Sequence, residues 1–139
     1  MTVALYLLDT DISSYIIKGQ SPQLENKLAT VPPDRVCVSA ITRAELLYGL
    51  KRLPPNHRLH IGVHQFLKIV RVLAWDAYAA EYYADIRHQL TAQGQIIGAM
   101  DMMIASHALA VGAILVINNT KHFGRIDMPL LLENWNNAG

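Results

Sequence analysis

The chain is poor in cysteine, with Cys37 alone among 139 residues. A single cysteine excludes an internal disulfide and a zinc site made of cysteines, and with them the disulfide scaffolds of small secreted proteins. No apolar run reaches the ~18 residues of a membrane span, and no basic residue precedes the first apolar run, as a secretory signal requires. We therefore expect a cytoplasmic protein without membrane association.

Charged residues are also scarce, at 17% of the chain, which argues against disorder. Twelve basic and eleven acidic residues give a net charge of +1, so the chain is not a globally basic nucleic-acid binder. Its length predicts one domain over residues 1–139. The mean hydropathy of +0.19 is high for a monomer of this size and predicts an apolar surface that a partner covers.

Short apolar runs alternate with segments of helical period. Strands are predicted at residues 3–8, 36–38, 71–74, 113–117 and 129–132, and helices at residues 12–18, 22–29, 42–53, 56–70, 76–93 and 99–111. The first helix is predicted to be capped by Asp11 or Thr10, and residues 118–123 to form a loop. The alternation predicts an α/β domain with a mostly parallel sheet of about four to five strands and helices on both faces.

Three acidic residues stand in apolar surroundings: Asp9 after the first strand, Glu45 in SAITRAELLYGL and Asp101 in IIGAMDMMIASHALA. A carboxylate there costs several kcal/mol unless it is compensated, for instance by a shared divalent cation. Each acid also fits a structural role: Asp9 as the start of a turn, Glu45 in a capping box with Thr42, and Asp101 as a helix cap or dipole partner. Periodicity does not bring the three together, although ligands of parallel sheets bind beyond the carboxyl ends of strands, where Asp9 lies.

Four blocks of the sequence are similar to one family. LLDTDISSYI resembles the opening of PIN-domain ribonucleases, in particular VapC-type toxins of toxin–antitoxin pairs. SAITRAELLYGL resembles their second block, IGAMDMMIASHALAVGAILVINNTKHF the third and fourth, and LLLENW the common ending. The blocks stand in order, at family-like spacing, over essentially the whole chain.

The resemblance implies a PIN-like fold and a metal-dependent endoribonuclease that hydrolyses phosphodiester bonds in structured RNA. Asp9, Glu45 and Asp101 are then expected to hold Mg²⁺ or Mn²⁺, with Asn119 completing the catalytic set. Asp11 replaces the usual Asn, and Asn119 stands where many relatives have a fourth acid, which leaves open whether one ion or two bind. The predicted supporting or capping residues are Asp11, Ser39 and Thr10.

The same resemblance implies the molecules with which the chain interacts. The substrate is expected to be tRNA, as toxins with this style of motif often cut initiator tRNA in its anticodon stem–loop. A cognate VapB-type antitoxin is expected to fill the toxin's groove with its tail. A homodimer is also expected.

A basic stripe is predicted on the helix after residue 56. At ~100° per residue, one side carries the basic side chains and the other carries Leu59, Val63, Phe66, Leu67 and Val70. Such a stripe can follow a phosphate backbone, or simply be solvated, and His60 and His64 have the i, i+4 spacing of metal ligands. The predicted RNA-binding residues are His57, His60, His64, Lys68 and Arg71 of this stripe, together with Arg43 and Lys121.

Two other function classes remain open at this point. Asp9 and Asp11 fit the D-x-D-x-[ST] pattern of haloacid-dehalogenase phosphatases, in which the first Asp is a nucleophile and the second a general acid. Such enzymes need a late pair of acids for Mg²⁺, whereas only Asp127 and Glu133 follow Lys121. The third interpretation is a non-catalytic α/β binding module, to which the missing fourth acid gives some weight.

Overall fold

The computed structural model describes residues 4–118 and 120–136. Five strands lie in these residues: β1 (Tyr6–Leu8), β2 (Val36–Ser39), β3 (Arg71–Leu73), β4 (Ile114–Val116) and β5 (Leu131–Glu133). The α-helices are α1 (Thr10–Lys18), α2 (Pro22–Ala29), α3 (Ala40–Lys51), α4 (Leu59–Ile69), α5 (Ala77–Ala92), α6 (Ala99–Val111) and α7 (Thr120–Phe123). The predicted α/β class is confirmed.

All five strands are parallel, in the order β3-β2-β1-β4-β5. The chain therefore builds outward from β1 to β2 and β3, and then returns to the opposite side of β1 to add β4 and β5. The strand order reverses next to β1, and ligands of open parallel sheets bind at such a point. The Asp9 amide donates to the Val116 carbonyl at 3.0 Å, so the carboxyl ends of β1 and β4 are joined there.

Alternate side chains of the strands fill a core on each face of the sheet, as the two-residue period of a strand requires. Leu7, Cys37 and Leu115 are fully buried in one core, against α5 and α6. Leu8, Val38 and Val116 are fully buried in the other, together with residues of α1 to α4. Helices thus cover both faces, as predicted, and a strand that is buried on both faces explains the continuous apolar run before Asp9.

The helices α2 and α6 have the predicted bounds, whereas α1 and α3 begin earlier than predicted. Asp9, rather than Asp11 or Thr10, caps α1, because its Oδ1 accepts the Ile12 amide at 2.8 Å. α3 begins at Ala40, where Ser39 Oγ accepts the Ile41 amide. Thr42 therefore lies inside the helix, and the alternative role of Glu45 in a capping box with Thr42 is wrong.

The elements at two other positions are also corrected. α4 begins at Leu59 rather than residue 56, since the His57 ring Nδ1 accepts the Leu59 amide at 3.1 Å before the helix starts. The segment predicted as a loop at residues 118–123 contains the single-turn helix α7. Val3, at the start of the predicted first strand, lies outside the described residues. No helix in the described parts of the chain is both long and apolar enough to span a membrane.

Candidate active site

Asp9 lies at the carboxyl end of β1 and is almost fully buried, with 4% of its surface exposed. Its position is fixed by the capping bond to the Ile12 amide and by the Ser13 hydroxyl, which donates to the Asp9 carbonyl at 2.8 Å. Burial raises the pKa of the Asp9 carboxyl to about 7, against a usual 3.8. Asp9 is thus a helix cap whose negative charge is costly in this environment.

Glu45 is held at the same edge by a residue of α1. The Thr10 hydroxyl donates to Glu45 Oε1 at 2.6 Å, and Thr10 Oγ1 also lies 3.1 Å from Thr42 Oγ1. Glu45 and Thr42 are on α3, so two hydroxyls and one carboxylate join the first residue of α1 to the middle of α3. Glu45 therefore faces α1, and a neutral hydroxyl rather than a basic side chain fixes its orientation.

Asp101 reaches the site from α6. It stands in the first turn of that helix, whose N-cap residue Gly98 makes no side-chain capping bond. Asp101 Oδ2 lies 3.5 Å from Nδ1 of His122 on α7. Burial raises the pKa of the Asp101 carboxyl, while the nearby His122 opposes that shift. Asp101 is not the helix cap, although its place in the first turn suits the helix dipole.

The charges of neighbouring acids act on Asp9 and Asp101. Besides burial, the charges of Asp11, Asp101 and Glu45 all raise the pKa of Asp9. Asp11, exposed in the first turn of α1, also raises that of Asp101. Clustered carboxylates of raised pKa are stabilised by a hard divalent cation, for which carboxylate oxygens are the preferred ligands.

The described residues contain no group of three His, Cys, Asp or Glu side chains that converges into a ready-made metal cage. This is compatible with Mg²⁺, which keeps several waters and binds substrate phosphate, so carboxylates that stand apart before it binds can still be its ligands. The donor set at this edge therefore fits a divalent cation that also binds substrate. The paired histidines His60 and His64 of α4 likewise belong to no such group.

Behind the acids, a buried hydrogen bond joins two of the elements that carry them. Ser39 Oγ lies 2.7 Å from Nδ1 of His107, and both side chains are almost fully buried. Ser39 caps α3, which carries Glu45, and His107 belongs to α6, which carries Asp101. Burial lowers the pKa of His107, so a neutral ring is favoured, and the link positions the two helices without adding charge.

The pattern of the PIN domain matches residues 6–128 of this chain. The chain belongs to the PIN-domain family. Ribonuclease VapC2 of Rickettsia felis is 36% identical over 132 residues, or 94% of this chain and 98% of that protein. The tRNA(fMet)-specific endonuclease VapC of Shigella flexneri is 34% identical over 130 residues, or 94% of this chain and 97% of that protein. The crystal structure of DNA-bound VapBC from Salmonella typhimurium matches with a TM-score of 0.88 and 32% identity, over 96% of this chain and 99% of that one.

Membership of the PIN-domain family distinguishes between the three function classes that the sequence leaves open. The resemblance to PIN-domain ribonucleases is confirmed, and so is the five-stranded parallel fold. The haloacid-dehalogenase interpretation of Asp9 and Asp11 is wrong, since residues 6–128, which include both acids, match the PIN domain. The relatives are named as ribonucleases and endonucleases, which favours an enzyme over a binding module.

The residues predicted to contact RNA form two groups, one in and around α4 and the other on α3 and α7. The basic stripe is shorter than predicted, because His57 precedes α4 and Arg71 belongs to β3. Within α4, His60 Nε2 is 3.0 Å from the Pro54 carbonyl, while His64 and Lys68 are exposed. Arg43 of α3 and Lys121 of α7 are also exposed. Asn119, predicted to complete the catalytic set, lies outside the described residues.

Sequence reasoning misses three supporting contacts of the site. It considers Thr42 only as a possible helix cap and not as a partner of Thr10, it does not pair His122 with Asp101, and it does not single out His107. The sequence carries little signal for these contacts, because the partners are far apart along the chain: 68 positions for Ser39 and His107, and 35 for Thr10 and Glu45. Only the strand order brings such pairs together.

Proposed function

We propose that this chain is a divalent-metal-dependent endoribonuclease toxin of the VapC type, which hydrolyses phosphodiester bonds in structured RNA. The observation that carries the proposal is the acidic edge at the strand-order reversal. There Asp9, Glu45 and Asp101 come from three separate elements, and the charges of Glu45 and Asp101 both raise the pKa of Asp9. Close relatives named as ribonucleases support the same activity.

Asp9, Glu45 and Asp101 are the proposed ligands of Mg²⁺ or Mn²⁺, and Asn119 is proposed to orient a water or a phosphate oxygen beside them. When bound, such a cation activates a water and stabilises the leaving oxygen in phosphodiester hydrolysis. The products are expected to carry 5′-phosphate and 3′-hydroxyl ends.

The chain's own residues prepare this edge. The Ile12 amide fixes one oxygen of Asp9, and the Thr10 hydroxyl fixes one oxygen of Glu45. His122 Nδ1 lies 3.5 Å from Asp101 Oδ2, so the ring of α7 contacts the carboxylate of α6 at this edge. Asp11, exposed beside them, adds negative charge that attracts cations.

Relatives also guide the proposal of substrate and partners. One is named a tRNA(fMet)-specific endonuclease, and we take tRNA, with the anticodon stem–loop of initiator tRNA foremost, as the substrate of this chain. Related structures are VapBC complexes, so a VapB-type antitoxin is the proposed inhibitor. A homodimer that acts in the cytoplasm, with one PIN domain per chain, completes the proposal.

Cleavage of total tRNA by the purified chain, free of antitoxin, tests the proposal. Wild type is expected to cut in Mg²⁺ and not with a chelator. Asp101→Asn is expected to lose at least a hundredfold in rate, while the control Asp85→Asn, an exposed acid of α5, keeps its activity. Folded wild type that cuts no RNA in Mg²⁺ or Mn²⁺ would refute the assignment.

A further inference from the structure

The last described residues of the chain form hydrogen bonds with the turn that follows β4. Asn134 Nδ2 donates to the Asn118 carbonyl at 3.1 Å, and Asn136 Nδ2 donates to Asn118 Oδ1 at 3.3 Å. The Asn136 amide also donates to Asn134 Oδ1 at 2.9 Å, which ties the two residues together. We call this pair, Asn134 and Asn136, the asparagine clamp. It holds both the backbone and the side chain of Asn118.

The asparagine clamp is itself fixed to other elements of the domain. Ser21 Oγ, at the N-cap of α2, donates to Asn136 Oδ1. Trp135, between the two asparagines, is only 4% exposed and packs against Tyr6 of β1, with the ring centroids 5.3 Å apart. The clamp therefore has supports in α2 and β1, so it can restrain Asn118 instead of moving with it.

Asn118 lies between two parts of the acidic edge. Two residues before it, the Val116 carbonyl of β4 accepts the Asp9 amide at 3.0 Å. Two residues after it, α7 begins, and Nδ1 of its His122 lies 3.5 Å from Asp101 Oδ2. The turn held by the clamp thus connects the strand end beside Asp9 to the helix beside Asp101.

The precision of this turn matters for catalysis. Asn119, which is proposed to orient a water or a phosphate oxygen, follows Asn118 directly. Such a group has to be held to within about 0.5 Å, and a misplacement of about 1 Å can cost about a hundredfold in rate. A turn lacks the repeated hydrogen bonds of a helix or a strand, so bonds from other segments have to supply that precision. The clamp bonds end one planar peptide unit before Asn119.

We propose that Asn134 and Asn136 are positioning residues of the active site, which fix the turn after β4 and with it the place from which Asn119 acts. The inference rests on the proposed function, in which Asn119 has that role. The alternative is a clamp that only attaches the end of the chain to the domain. In that case its loss lowers stability but leaves kcat of the folded enzyme unchanged.

Alanine variants of the clamp test this proposal. Asn134→Ala removes the donor to the Asn118 carbonyl and the acceptor of the Asn136 amide. Cleavage is measured on the RNA that wild type cuts, in saturating Mg²⁺ and well below the Tm of each variant. We expect kcat to fall about tenfold or more, with KM within about twofold of wild type. Asn136→Ala is expected to change kcat in the same direction, and it carries the test if Asn134→Ala does not fold.

Trp135→Phe is the matched control from the same segment. It keeps an aromatic ring beside Tyr6 but loses the hydrogen bond from the indole to Glu133 Oε1. It makes no change to the bonds on Asn118. We therefore expect Trp135→Phe to lower Tm while kcat stays within about twofold of wild type.

A double-mutant cycle identifies the residue through which the clamp acts. Asn119→Ala alone is expected to lower kcat. Adding Asn134→Ala to it is expected to lower kcat further by less than about twofold, because a side chain that is absent cannot be misplaced. The rise in Tm on adding Mg²⁺ is expected to be the same in Asn134→Ala as in wild type, since the three carboxylates are intact.

The outcomes separate this inference from the proposed function. The clamp is only structural if folded Asn134→Ala and Asn136→Ala keep the wild-type kcat, if neither of them folds, or if Trp135→Phe lowers kcat equally. Losses in kcat that multiply in the double variant, or a lost response of Tm to Mg²⁺, also overturn the positioning role. If Asn119→Ala cuts RNA as fast as wild type, the clamp has no residue to position, and the nuclease assignment stands. Wild type that cuts no RNA refutes both proposals together.

Discussion

Asp9 has two roles that require different properties of its side chain. As the cap of α1 it needs only an acceptor oxygen for the Ile12 amide, which an asparagine also supplies. As a metal ligand it needs a negative charge. Burial makes that charge costly and raises the pKa of Asp9 to about 7. The two roles are therefore separable by substitution.

We predict that Asp9→Asn loses cleavage by at least about a hundredfold, in line with the loss of a site charge, but remains folded. Asp9→Ala is expected to lose cleavage as well and to unfold about 1 kcal/mol more easily than Asp9→Asn, since only the alanine removes the cap. Urea unfolding at pH 8 in chelator, beside a cleavage assay, measures both quantities. An alanine variant as stable as the asparagine variant would show that the capping bond contributes nothing.

At the scale of elements, two glycines in helix interiors form a matched pair. A methyl group on Gly49 in α3 would enter open space, whereas a Cβ on Gly62 in α4 would lie 3.2 Å from Ile17 Cγ2 of α1. Alanine exceeds glycine in helix propensity by about 1 kcal/mol at either position. Gly62 therefore marks a close approach of α4 to α1.

We predict that Gly49→Ala raises the free energy of unfolding by up to about 1 kcal/mol. Gly62→Ala is expected to gain less or to lose stability, because Ile17 has to move to admit the methyl group. Thermal unfolding of both variants beside wild type decides the matter. Equal gains would mean that α1 and α4 do not pack as tightly as their contact indicates.

Comparison of the elements with their predictions shows which features the sequence alone determines. The apolar run before Asp9 predicts a strand buried on both faces because its composition reports burial directly, and the parallel-sheet rule then places Asp9 at the ligand-binding edge. The sequence does not predict α7, because four residues are too few to show a helical period. The contact between Thr10 and Glu45 depends on which strands are neighbours in the sheet. Periodicity within one segment carries no information about the strand order.

For the whole molecule, the buried acids couple stability to pH. Between pH 4 and 7 the folded chain keeps a proton on Asp9 that the unfolded chain has released, so the free energy of unfolding falls as pH rises through about 7. His107 acts in the opposite direction, because its pKa is lowered and the unfolded chain takes up the extra proton only below about 6.5. Burial also raises the pKa of the Cys37 thiol to about 12, so the unfolded chain loses that proton first at alkaline pH. A comparison of pH 6.5 with pH 8.5 in both wild type and Asp9→Asn therefore isolates the contribution of Asp9, since His107 and Cys37 are present in both.

Without divalent cations, wild type is expected to be less stable at pH 8.5 than at pH 6.5, by on the order of 1 kcal/mol. Mg²⁺ competes with the proton for Asp9, so saturating Mg²⁺ is expected to raise Tm more at pH 8.5 than at pH 6.5. Asp9→Asn has no proton to exchange and is expected to lose most of both effects. Thermal melts at the two pH values, with NaCl at matched ionic strength as the control for screening, measure the coupling. If Mg²⁺ raised the Tm of wild type and Asp9→Asn equally, the cation would be binding elsewhere, and the charge buried at the end of β1 would need another explanation.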